Sequence, residues 1–192
     1  MKGFLKDFGK RLAKGMLSDY SIYRIYSSPE GEVGQPLPDG AGGLVLREID
    51  EIGLASDPSP LISEQSGYAG PGSHAYACFD GDRVAGVCFY WFGERYYEKR
   101  NFWPLAEGEA KLVQIVVIPE MRGRGVATRL IASSFQDMQR KNFHRAFARI
   151  WNSNAPSLKA FQKAGWKYVS LVIEFSLWGR KRPVRIRLNK TI

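Results

Sequence analysis

The stretch that most limits what this chain can fold into runs from Ala110 to Met138. Ala110–Ile118 is a nearly continuous apolar run ending at Pro119. Such Val/Ile-rich runs read as strands buried on both faces. Pro119-Glu-Met-Arg-Gly-Arg-Gly-Val-Ala-Thr128 follows at once. Val126, Leu130, Ile131, Phe135 and Met138 then recur at helical spacing,. A buried strand, a glycine turn and an amphipathic helix in direct succession require an α/β (α+β) chain built around a sheet.

Gly123 and Gly125 remove side chains where the backbone turns tightly, so that amide N–H groups converge on a small volume. The helix start adds its unpaired first-turn N–H groups and the positive end of its dipole. That combination suits a diphosphate, and Arg122 and Arg124 add charge-assisted bonds. No Gly-Lys-Ser/Thr follows, so this is not a Walker loop. The glycine spacing and the missing downstream acid also rule out the dinucleotide fingerprint. Taken alone, the turn suits a plain strand–helix connection with solvated arginines equally well. An RNA-binding Arg-Gly tract fits poorly, because this segment is locked between two apolar elements.

The rest of the chain supplies the sheet. Leu44–Arg47, His74–Phe79, Arg83–Trp91, Ala146–Trp151 and the alternating residues 169–177 read as strands,. Asp80-Gly81-Asp82 is a hairpin turn. Glu48–Ala55 reads as a short helix, and Asn154 starts another that stops at Gly165. Residues 28–43 and 56–73 read as loops, the second long and mobile. Residues 92–109 form an aromatic and charged connection. Val184, Ile186 and Leu188 alternate with Arg185 and Arg187, giving a basic C-terminal hairpin arm.

Near the N-terminus, Phe4, Leu5, Phe8, Leu12, Met16 and Leu17 face one side of a helix over roughly 3–18, with lysines every fourth residue opposite,. Residues 1–29 are therefore expected to be a basic amphipathic helical extension, able to dock on the body or lie on an anionic membrane surface.

With 192 residues, 44% apolar and 24% charged, the chain is a globular domain and not a disordered tail or fibre,. The net charge of +9 sits at the ends: residues 1–29 hold six bases against two acids, and 179–192 hold six bases and no acid. The body is neutral. This placement favours an anionic acceptor or surface near the ends. It argues against a nucleic-acid binder, which would carry a basic stripe across its body. Cys78, Cys88, His74 and His144 lack metal-ligand spacing, so no metal is expected. No secretory leader and no apolar span are legible, and two scattered thiols fit a reducing compartment. The expected location is cytoplasmic, with the extension at most peripheral to a membrane.

Two motifs together resemble those of the GCN5-related N-acetyltransferase (GNAT) superfamily. Arg122, Gly125 and Ala127 meet its Arg/Gln-x-x-Gly-x-Gly/Ala acetyl-CoA pattern. Asn154-x-x-Ser157-x-x-x-Phe161-x-x-x-Gly165-Trp166 is similar to its second conserved segment. The resemblance implies a GNAT fold over residues 30–192, with its motif core at 110–178. That fold has a mixed, mostly antiparallel sheet of about six or seven strands, splayed in a V and flanked by helices. It implies an acetyl-CoA-dependent N-acetyltransferase in which a primary amine attacks the acyl group directly. Pantetheine would pair with the backbone near Ile115 and Val117. The diphosphate would sit on Arg122, Gly123, Arg124, Gly125, Val126, Ala127 and Thr128. Asn154, Ser157 and Phe161 would flank the cofactor arm.

The usual acid of this family is a Tyr where this chain has Phe161. Tyr168 is the candidate substitute, with Tyr90 or water as alternatives. Glu109 is the candidate base, with Glu107, Glu94 and His74 behind it. The acceptor is a small-molecule or surface-presented amine of unassigned identity. An inactive acyl-CoA-binding module is the competing reading. The edges of the long C-terminal strands are compatible with a homodimer.

Overall fold

The computed structural model describes residues 17–29, 43–100, 102–177 and 183–189. They form one eight-stranded sheet. The strands are β1 (Leu17–Ser27), β2 (Leu44–Glu48), β3 (Ser73–Asp80), β4 (Arg83–Trp91), β5 (Glu109–Val117), β6 (Arg145–Trp151), β7 (Lys167–Leu177) and β8 (Val184–Asn189). Their spatial order is β2-β3-β4-β5-β6-β1-β7-β8. Every neighbouring pair is antiparallel except β5 and β6. The helices are α1 (Glu51–Ala55), α2 (Pro60–Ser63), α3 (Gly93–Lys99), α4 (Val126–Arg140) and α5 (Ala155–Lys163). The parallel pair needs a crossover, and α4 is that crossover.

Two apolar clusters cover the two faces of the sheet. α4 buries Val126, Leu130, Ile131, Phe135 and Met138, and it packs on β3 and β4. β4 is buried from Val84 to Trp91. Tyr23, Ile25, Trp91, Tyr96, Phe102, Leu105, Phe147 and Val172 form a second, smaller cluster. A sheet packed on both sides explains why the interior strands carry near-continuous apolar runs.

The N-terminal segment departs from expectation. Residues 1–16 lie outside the described residues, so most of the helix expected over 3–18 does too. Leu17–Ser27, expected within a helical extension, is instead a strand inside the sheet, between β6 and β7. The physical reason is legible in Ser21–Tyr26, where β-branched and aromatic side chains dominate. Tyr23 and Ile25 are fully buried in the second cluster, and Tyr26 is buried in the first. The sheet therefore has eight strands where six or seven are expected.

Two expected loops carry packed structure. Between Ser56 and Ser73 lie α2 and a 3-10 turn at Ser66–Tyr68. Ile62 there is fully buried, and Ser59-Pro60 supplies a helix start. Part of the 92–109 connection is α3, which buries Tyr96. The loop expected over 28–43 falls mostly on 30–42, outside the described residues. The C-terminal hairpin forms as expected, with β8 at the sheet edge and Ile186 and Leu188 exposed.

Candidate active-site cleft

β5 and β6 pair only from Glu109–Leu112 with Arg145–Ala148. Both strands continue, β5 to Val117 and β6 to Trp151, without pairing to each other. On its other side β5 carries a bulge: Phe89 faces Gln114 and Tyr90 faces Leu112, leaving Val113 unmatched. A bulge bends and over-twists its strand. β6 meanwhile follows β1, pairing Phe147–Trp151 with Ser27–Tyr23. The two strands part beyond Leu112 and Ala148, and the opening holds a cavity of about 280 Å³.

One wall of the cavity is formed by Ile115, Ile150, Asn154, Ser157 and Phe161. The Asn154 side chain accepts from the Ser157 amide at 3.1 Å and caps α5. Phe161 is buried against Trp166, with ring centres 5.0 Å apart. Gly165 ends this helical segment at φ +80°, and the Trp166 amide donates to the Phe161 carbonyl at 3.0 Å. This turn requires a left-handed residue, which glycine supplies without strain.

The glycine turn follows the free end of β5. Gly125 is the N-cap of α4 at φ +83°, and no side chain caps the helix. The first intrahelical amide bond is Arg129 to the Gly125 carbonyl, at 3.0 Å. The helix itself leaves the amides of Val126, Ala127 and Thr128 unpaired. Nothing lies within 4 Å of where a Cβ on Gly123 or Gly125 would stand. Arg122, Gly123, Arg124 and Gly125 are exposed. An open cradle of unpaired amides flanked by two arginines fits a diphosphate.

The other wall carries different chemistry. Tyr68, Tyr96, Arg100, Phe102, Lys111 and Arg149 line it. The Tyr96 hydroxyl donates to the Trp103 carbonyl at 2.8 Å and accepts from the Phe102 and Trp103 amides, which pins that segment. Lys111 is 3% exposed, and its Nζ has no hydrogen-bond partner among the described residues. Burial drives its amine well below the usual lysine range, and the Arg149 charge pushes the same way,.

The structure brings Ile115, Asn154, Ser157 and Phe161 together. Val117 and the residues Arg122 to Thr128 lie beyond the cavity lining, at and past the free end of β5. The two expected proton-handling groups do not line the cavity. The Glu109 carboxylate accepts from the Ala106 amide at 2.8 Å and pairs with Arg145 at 3.5 Å. It borders a neighbouring depression beside Leu105 and Phe143. Tyr168 stands on β7, three strands away from β5 in the sheet, edge-on to Tyr26 with ring centres 6.1 Å apart. Tyr90 is buried and bonds Ser134 at 3.0 Å. The alternatives Glu107, Glu94 and His74 also lie outside the lining.

Sequence reasoning missed Tyr68, Arg100, Lys111 and Arg149. Lys111 had a signal: a lone lysine in a strand that reads as buried on both faces. The other three had none, because elements far apart in the chain bring them in.

Residues 45–166 match the sequence model of the Acetyltransferase (GNAT) family. With that match over more than half its length, and with this splayed sheet, the chain belongs to the GNAT family. No curated protein sequence matches it. Among solved structures, a GNAT-family protein from Novosphingobium aromaticivorans superposes with a TM-score of 0.56 at 17% identity, covering 83% of this chain and 65% of its own. A GNAT-family acetyltransferase from Colwellia psychrerythraea gives 0.54 at 12% identity, over 88% of this chain and 60% of that one. The tandem GNAT protein of the clavulanic acid biosynthesis pathway gives 0.52 at 15%, over 85% and 56%. This chain thus spans less than two thirds of each of these relatives. Among the described residues no helix is long and apolar enough to cross a membrane.

Proposed function

We propose that this protein transfers an acetyl group from acetyl-CoA to a primary amine. The observation that carries this reading is the coincidence of two features at one place. The parallel strands part beyond Leu112 and Ala148, and an uncapped helix start follows the free end of β5.

In this reading Val126, Ala127 and Thr128 hold the diphosphate through their amides, with Gly123 and Gly125 giving access and Arg122 and Arg124 adding charge. The unpaired edge of β5 at Ile115 and Val117 offers backbone groups to the pantetheine arm. Asn154 offers its side-chain N–H groups, since its Oδ1 is held by the Ser157 amide. Phe161 is a wall and supplies no proton. Acetyl-CoA would provide the activated acyl carbon that an amine attacks directly. The chain contributes positioning and the exclusion of water. Proton transfer falls to groups other than Glu109 and Tyr168. Among the described residues Tyr68 is the phenol that lines the cavity without being held by backbone partners at its hydroxyl, which accepts from Arg100 at 3.3 Å.

Calorimetric titration with acetyl-CoA and with CoA tests the reading. Micromolar binding of both is the expected result, followed by amine-dependent release of free thiol. Failure of the wild-type protein to bind either would overturn it.

A further inference from the structure

Phe102 is the meeting point of three cations. Lys111 Nζ lies 5.8 Å from the ring centre, and the guanidinium carbons of Arg149 and Arg185 each lie 4.7 Å from it. They come from three different strands, β5, β6 and β8. Arg185 pairs with Glu174. Among the described residues neither Lys111 nor Arg149 forms an ion pair, and Lys111 Nζ has no hydrogen-bond partner either. Arg149 rests on rings, also lying 5.1 Å from that of Tyr23 and 5.8 Å from that of Trp151, and the Glu174 carboxylate that pairs with Arg185 acts on it through space. Both residues line the cavity, with Arg100 as a third cation, and no Asp or Glu is among its lining.

A buried amine without an acceptor is costly, and native structures seldom retain one. The Arg149 charge also opposes a proton on the Lys111 amine,. An anion between them would remove both penalties. A carboxylate or phosphate can accept from the Lys111 ammonium and from the Arg149 guanidinium together. The aromatic flanks keep Arg149 pointed while leaving its N–H edge available.

We propose that Lys111 and Arg149 form an anion subsite in the acceptor half of the cleft, so that the amine acetylated here belongs to a molecule carrying a carboxylate or phosphate. The assignment of this anion to the acceptor rests on the acetyltransfer reading above. The site differs from the glycine turn, which offers backbone amides at the other end of β5. A polycationic amine is the class this wall rejects.

The test uses protein saturated with CoA, so that the glycine turn is filled. It is titrated at fixed ionic strength with O-phosphoethanolamine, with β-alanine, and with ethanolamine as the tail without an anion. Spermidine serves as the polycation. At least one anionic amine is expected to bind roughly tenfold more tightly than ethanolamine, and which of the two does so separates phosphate from carboxylate. Lys111→Met and Arg149→Gln are each expected to erase most of that preference while changing CoA affinity less than about twofold. Arg149 is exposed, so Arg149→Gln serves even if the Lys111 variant folds poorly. Equal binding of ethanolamine, tighter binding of spermidine, or a preference that survives both substitutions would overturn the proposal. If CoA itself does not bind, the acetyltransfer reading fails. A phosphoethanolamine preference that is lost in both variants would then still establish the anion subsite.

Discussion

The two walls of the cleft are built from different materials. The wall next to α4 and α5 is largely backbone. In the acetyltransfer reading proposed above, it is continued past the cavity by the amides of a helix start with no side-chain cap, and Asn154, a polar side chain of the lining, doubles as a helix cap. The opposite wall is made of side chains. Tyr96, Phe102, Lys111 and Arg149 come from α3, the segment after it, β5 and β6, and each is held by packing on another. A backbone wall tolerates most substitutions and fails only where a side chain blocks it. A side-chain wall changes with every residue in it. In the acetyltransfer reading, that contrast suits a fixed cofactor on one side and an acceptor peculiar to this protein on the other.

The sharpest way to break the contrast is Gly125→Asp. Aspartate is among the few residues that visit the left-handed region, so the strain at φ +83° stays at about 1–2 kcal/mol,. Acetyl-CoA affinity should nevertheless fall by roughly 100-fold, because a carboxylate occupies the diphosphate's place. Calorimetry gives the affinity, and thermal unfolding shows whether the fold persists. A variant that binds as well as wild type would show that the backbone wall is scaffold only.

Lys111→Met probes the other wall through its pH dependence. The folded-state amine is depressed below its unfolded value, so the unfolded chain binds the extra proton between the two. Wild-type stability therefore rises with pH across the window from the folded value up to the ordinary lysine range. Its slope there is at most about 1.4 kcal/mol per pH unit. The Met variant lacks this slope. Its advantage over wild type should be largest at low pH and shrink as pH rises, read by urea unfolding at several pH values. A constant difference would mean that Lys111 is solvated.

A smaller effect separates the two duties of Asn154. Asn154→Ala should cost about 1 kcal/mol through the lost cap and also weaken CoA binding. Asn154→Asp keeps an acceptor for the Ser157 amide and should restore the stability, but not the affinity, since it has no N–H to offer. Unfolding curves and CoA titrations on the same samples decide it. The smallest effect is expected at Arg124, which is exposed. Arg124→Ala should weaken CoA roughly threefold and flatten the salt dependence of binding, as an exposed charge contact would.

Much of the backbone wall is legible without coordinates. Arg122, Gly123, Arg124, Gly125 and Val126 are consecutive, and the helix-starting Asn154 and its Ser157 lie three apart. Their roles follow from local backbone rules that act within a few residues. The strand pattern of β3 to β7 is legible for the same reason. β1 was hidden by its position: Ser21–Tyr26 is a strand-forming sequence next to a helix-like pattern, and nothing local says that it enters between β6 and β7. The candidate base and acid stand outside the cavity lining because nearness in sequence to the central strand is not nearness to its open edge. Glu109 stands at the paired end of β5, tied to Ala106 and Arg145.

The sequence by itself determined a buried central strand, a glycine turn leading into a helix, and a second capped helix at the right distance. These depend on dihedral preferences, side-chain periodicity and unpaired amides, all of which act over short stretches of chain. Only the tertiary structure decided where β5 and β6 part, that β1 guides β6 away, and that Lys111, Arg149 and Arg185 meet around Phe102. Those facts depend on pairing register and on burial between residues tens of positions apart. Charge without a partner is a property of a place in the fold, and it has no counterpart in the order of the residues.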